Sequence, residues 1–137
     1  MAAKQLEQLK IDSLIGFYPC RDLTRTTRFY RALGLGMARD QGSCVIFRVA
    51  AGGFLGFCQH NETPERGLPV NEIPVHPGLI LTLVLDDVDG AYERLTELRV
   101  ETEAPPKLNE RFGIYHFFAR DPDGYRLELQ RFTDPLE

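Results

Sequence analysis

Glu128 stands between Leu127 and Leu129 near the end of the chain. In an extended segment successive side chains point to opposite faces, so this carboxylate turns away from both leucines. It reads in two ways. It is either a pocket carboxylate, serving as general base or as acceptor for a cationic ligand, or a structural group paired with an arginine or a tyrosine hydroxyl. Cys58 and His60 share one face of a regular strand. They are polar cavity groups, or a small buried thiol and a surface imidazole at a strand end. A Cys–His nucleophile needs a third orienting group, and none is visible beside them. His76 and His116 complete the histidines. Phe17, Tyr18, Phe54, Phe57, Tyr115, Phe117 and Phe118 make the apolar runs rich in aromatics. Part of such a set packs the core, and the remainder can wall an apolar cavity that stacks a planar ligand. Glu128 is therefore the catalytic candidate, and Phe17, Cys58, His60, Thr82 and Tyr115 are the candidate ligand contacts. Arg21, Arg25, Arg28 and Arg31 recur at spacings of three and four and read as a solvated helix face. No Gly-rich phosphate loop, Ser–His–Asp order or paired-cysteine motif occurs.

The elements that must position these residues follow from composition and pattern. A chain of 137 residues is a single domain with room for a sizeable core. Net charge is −4, which gives no general attraction to nucleic acid or to an anionic membrane. The first ten residues are too polar for a signal peptide, and no run reaches the roughly 18 apolar residues of a membrane span. Three cysteines, Cys20, Cys44 and Cys58, make neither a metal-type cluster nor an even disulfide set, so a reducing cytoplasm is the expected location.

The chain then reads as a weak internal repeat. Residues 11–20 form an apolar, β-branched and aromatic run that predicts a buried strand. Asp22 is placed to cap a helix whose apolar face is Leu23, Thr26, Tyr30 and Leu33, and Gly34 stops it. Strands are predicted at 35–39, 43–50 and 54–60, separated by turns at 40–42 and 51–53. Pro64, Pro69, Pro74 and Pro77 mark residues 62–77 as an irregular connector. The order then repeats, with a strand at 79–85 and a helix capped by Asp86 or Asp87 with Val88, Ala91, Leu95 and Leu98 on its apolar face. A short strand at 100–103, a loop at 104–111 and strands at 114–119 and 125–131 complete it. Asp121-Pro122-Asp123-Gly124 is a strong turn signal between the last two. The prediction is an α+β fold of two βαβββ modules, residues 11–61 and 78–131. Neither covers its own sheet alone, so the two must pack together.

Three segments carry a family resemblance. Arg21-Asp22-Leu23 is followed by Phe29-Tyr30-Arg31-Ala32-Leu33-Gly34-Leu35, Leu85-Asp86-Asp87-Val88-Asp89 by Ala91-Tyr92, and Arg120-Asp121-Pro122-Asp123-Gly124 by Tyr125-Arg126-Leu127-Glu128-Leu129. Over residues 11–130 the chain resembles the vicinal oxygen chelate superfamily, which includes glyoxalases, extradiol dioxygenases and bleomycin-binding proteins. The resemblance implies paired modules curved into a half-open barrel around one cavity, and a homodimer. It places the family's metal-ligand positions at Ile15, Gly56, Ile80 and Glu128, of which only Glu128 carries a donor. A first-row metal ion needs three or four N, O or S ligands, so no metal and no cofactor are expected. The expected function is metal-free binding of a small apolar molecule in the barrel, as the partner in place of nucleic acid or membrane. The alternative is a glyoxalase-like lyase or isomerase, or a dioxygenase-like enzyme, using Glu128 with a non-standard metal site.

Overall fold

A computed structural model describes residues 9–60, 73–74 and 78–136. Most of the proline-rich connector, with His76, and the start of the chain lie outside the described residues. The first module contains Leu14–Cys20 (β1), Leu23–Ala32 (α1), Gly36–Asp40 (β2), Cys44–Ala50 (β3) and Gly53–Gln59 (β4). The second contains Ile80–Val84 (β5), Val88–Glu97 (α2), Lys107–Asn109 (β6), Ile114–Arg120 (β7) and Arg126–Phe132 (β8). Each makes a four-stranded sheet, in the orders β1-β4-β3-β2 and β5-β8-β7-β6. The first strand of each module pairs parallel with the last, as β1 with β4 and β5 with β8. The sheets share no ladder among the described residues, so this α+β architecture matches a half-open barrel rather than a closed one.

Both helices begin where the sequence places them. Asp22 accepts from the Arg25 N–H at 3.2 Å, and Asp87 from the Gly90 N–H at 2.9 Å, each satisfying one orphan donor of a first turn. Thr26 and Tyr30 of the predicted α1 face are fully buried. One boundary is corrected. Residues 100–103 make only a bridge, Thr102 to Ala119, and the paired strand is β6, inside the stretch read as loop. Pro105 and Pro106 cannot donate to a ladder, so regular pairing starts only beyond them.

Alternation sorts each sheet into two faces. Val45, Phe47, Leu55 and Phe57 belong with Leu127, Leu129, Phe117 and Ala119 to one core that also takes in Tyr30, Val88 and Leu95 of the helices. The two modules meet in aromatic contacts, Tyr18 to Tyr125 at 5.6 Å and Phe57 to Tyr125 at 6.5 Å between ring centroids.

The Asp-Pro-Asp-Gly turn clasps one module to the other. Asp121 Oδ1 accepts from the N–H groups of Asp123 and Tyr125, while Oδ2 accepts from the Tyr30 hydroxyl at 2.9 Å. Asp123 accepts from the Arg21 N–H and from Arg25, both at 3.2 Å, and from the Thr26 hydroxyl at 3.4 Å. All four arginines lie on an exposed face, and two of them, Arg21 and Arg25, also hold Asp123. Gly124, at φ +89°, supplies the left-handed residue this turn requires.

Burial pushes the Asp121 carboxyl up to about 6, from an ordinary value of 3.8. The native state thus holds this proton more tightly than the unfolded chain does. The stability Asp121 contributes is fully present below about pH 4 and is lost as pH rises through about 6. Asp121→Asn keeps a carbonyl for both backbone donors and offers an amide to Tyr30. It is expected to remove this slope, so that the variant gains stability on wild type between pH 4 and 7. Thermal melts of the two proteins across that range check it, and parallel curves would refute it.

Candidate functional site

The face of the second sheet turned away from α2 gathers four polar residues. Thr82 and Glu128 are register partners on the parallel strands β5 and β8. The Thr82 hydroxyl donates to Glu128 Oε1 at 2.8 Å. His116 on β7 places Nδ1 2.6 Å from Glu128 Oε2. The Gln130 amide, turned to donate, sits 3.1 Å from both carboxylate oxygens. Glu128, His116 and Gln130 are 8%, 6% and 5% exposed. Glu128 is thus a buried carboxylate ringed by donors from all three long strands of its sheet. Both oxygens are engaged inside the protein. Its partners are a histidine, a threonine and a glutamine rather than an arginine or a tyrosine.

The corresponding face of the first sheet mixes aromatic and aliphatic groups with polar ones. Gly56 and Phe17 are register partners on β4 and β1. The Phe17 ring lies over Gly56 so closely that a Cβ there would stand 2.5 Å from two ring carbons. Phe17, Ile46 and Phe54, together with Arg39, Gln41 and Arg48, line a recess of about 500 Å³. The Arg48 guanidinium lies over the Phe54 ring, 4.9 Å from its centroid. A second groove, of about 350 Å³, runs between β1 and β5, with Tyr18, Phe54, Ile80 and Thr82 among its walls. Phe54 lines both spaces. Thr82 connects the groove to Glu128.

The structure thus brings Glu128 and Thr82 together and places Phe17 at the wall of the neighbouring recess. The other three candidates lie elsewhere. Tyr115 is on the opposite face of β7, its hydroxyl donating to Asp89 of α2 at 2.5 Å. His60 follows the end of β4, where its N–H donates to the Cys20 carbonyl at 3.0 Å. Cys58 is buried in a disulfide with Cys44, its partner across the β3–β4 ladder, with Cα atoms 4.1 Å apart. This corrects the expectation drawn from the odd cysteine count. Facing positions of an antiparallel pair bring two side chains together whatever a third cysteine does. The third, Cys20, is buried and free, and burial pushes its thiol up to about 12, which leaves it unreactive near neutral pH.

His116 and Gln130 are the site residues that sequence reasoning left out. A signal for them was present. A hairpin turning at residues 121–124 sets Phe118 opposite Glu128 and His116 opposite Gln130, which puts His116 diagonal to Glu128 on the same face.

A family model, the glyoxalase/bleomycin resistance protein/dioxygenase superfamily, matches residues 10–129. The chain belongs to that superfamily. No curated protein sequence matches the chain. Among solved structures, a glyoxalase/bleomycin resistance protein/dioxygenase from Nocardioides is similar at 21% identity and a TM-score of 0.74, over 95% of this chain and 87% of that one. A bleomycin resistance determinant encoded on transposon Tn5 matches at 25% identity and a TM-score of 0.66, over 88% and 98% of the two chains. Lactoylglutathione lyase from Agrobacterium tumefaciens matches at 25% identity and 0.65, over 86% and 91%.

Ile15, Gly56 and Ile80 offer alkyl groups or hydrogen at the positions that the resemblance assigns to metal ligands. Among the described residues, no three His, Cys, Asp or Glu side chains converge on a point. The residues present do not fit a first-row metal ion, so no chemistry is routed through one. No described helix is long and apolar enough to cross a membrane.

Proposed function

We propose that this protein binds a small, planar, largely apolar molecule between its two sheets without help from a metal ion. The observation that carries this reading is that Phe54 lines two neighbouring spaces. One is a recess walled also by Phe17, and the other is a groove with Thr82, the outermost member of the Glu128 cluster, in its wall. Apolar walls with a few convergent polar groups are the usual makings of a small-molecule site. At the Gly56 position, where a ligating side chain would stand, the Phe17 ring fills the space instead. Leu14 of β1 and Val84 of β5 are 76% and 58% exposed and favour pairing with a second copy of the chain.

A ligand that binds only the folded state raises the melting temperature in proportion to the logarithm of its concentration. A panel of planar aromatic compounds at millimolar concentration is expected to include members that raise it in wild type and not in Phe54→Ala. No shift with any member overturns the reading. So does stoichiometric Ni, Zn, Mn or Fe in the purified protein. Sedimentation of the same samples reports whether the chain pairs.

A further inference from the structure

Glu128 uses both oxygens on Thr82, His116 and Gln130, which leaves the imidazole as the group with an unused valence. Glu128 accepts from Thr82 and from the Gln130 amide, and with Nδ1 as the third donor, in the 2.6 Å contact, the His116 proton sits on Nδ1. In the neutral ring Nε2 then carries a lone pair. That nitrogen is buried and has no hydrogen-bond partner among the described residues. Its nearest aromatic neighbour on the strand, Phe118, packs edge-on with centroids 5.1 Å apart and offers no donor. A buried acceptor left unsatisfied costs free energy that a ligand's donor would recover. Glu128 meanwhile fixes the tautomer and orientation of the ring, as a carboxylate behind an imidazole does in many binding and catalytic sites.

We propose that the His116–Glu128 pair is the polar recognition element of the ligand site, with His116 Nε2 accepting a hydrogen bond from an O–H or N–H donor on an aromatic ligand of the phenol class. The inference rests on the reading that the groove holds a planar apolar molecule, and it adds the chemistry that selects among such molecules. The contact needs no covalent step. If the proton crosses, the ligand O–H bond breaks, an Nε2–H bond forms, and the imidazolium and phenolate that result are flanked by the Glu128 carboxylate.

The probes are 4-methylphenol and 4-methylanisole, which share a ring and differ in whether the oxygen carries a proton. Wild type is expected to bind the phenol roughly tenfold more tightly, as one buried hydrogen bond warrants. His116→Asn keeps a donor toward Glu128 but deletes Nε2, and it is expected to bind both probes alike. In wild-type protein labelled with ¹⁵N at histidine, the free His116 ring is expected as the Nδ1–H tautomer. Its Nε2 resonance is expected to move with 4-methylphenol and not with 4-methylanisole. Equal affinities in wild type, or a preference that survives in His116→Asn, overturn the assignment of His116 while leaving the groove reading intact. An Nε2–H tautomer in the free protein overturns the assignment whatever binds. Binding of neither probe overturns the assignment of His116, while the groove reading falls only if no member of the aromatic panel binds.

Discussion

Glu128→Ala is expected to lower folding stability by roughly 2–4 kcal/mol, because it strands several buried donors at once. The His116 Nδ1–H and the Gln130 amide lose their acceptor in a site where neither residue exceeds 6% exposure. Thr82 loses less, since its side of the site opens on the groove and water can replace the carboxylate. Glu128→Gln keeps an acceptor for His116 and a donor for Thr82, and is expected to cost under about 1 kcal/mol. Urea denaturation of the three proteins separates these outcomes. Equal midpoints for the alanine and glutamine variants would show that the carboxylate is held by packing alone.

Phe57→Ala is expected to have the largest effect on the fold, about 3–5 kcal/mol, the usual range for emptying a fully buried aromatic site. The Phe57 ring stacks on Tyr30 at 4.6 Å and contacts Phe47, Tyr18 and Tyr125 within 6.5 Å. Tyr125 belongs to the other module, and its hydroxyl donates to the Pro19 carbonyl at 2.7 Å. Emptying the Phe57 site therefore loosens the joint between modules as well as the first sheet. At roughly 2–4 °C per kcal/mol for a chain near this size, the melting temperature is expected to fall on the order of 10 °C. Calorimetry checks a second consequence: the variant still melts in a single transition, because one core serves both modules. Two separated peaks would contradict the shared core.

Much of the fold was legible because its signals are local. Asp22 and Asp87 cap helices that start one residue later, and the repeated order of elements follows from periodicity within each segment. The reading of residues 104–111 as loop missed β6 because three residues between a proline pair and a turn carry too little alternation to show. The Asp-Pro-Asp-Gly segment was legible as a turn. Its second role, receiving Arg21, Arg25, Thr26 and Tyr30 from the other module, was not, since those partners lie about 90 to 100 residues away in sequence.

The site divides in the same way. By itself, the sequence determined that Glu128 points away from Leu127 and Leu129 and that Ile15, Gly56 and Ile80 cannot ligate a metal. Side-chain type and the two-residue period of a strand suffice for both statements. Only the tertiary structure decided that Thr82, His116 and Gln130 surround that carboxylate, that Cys44 closes on Cys58, and that Tyr115 faces α2. Those outcomes depend on strand register and on which sheet face meets a helix. A shift of one residue in pairing reverses every side chain on a strand, so they are fixed when the sheets assemble and not before.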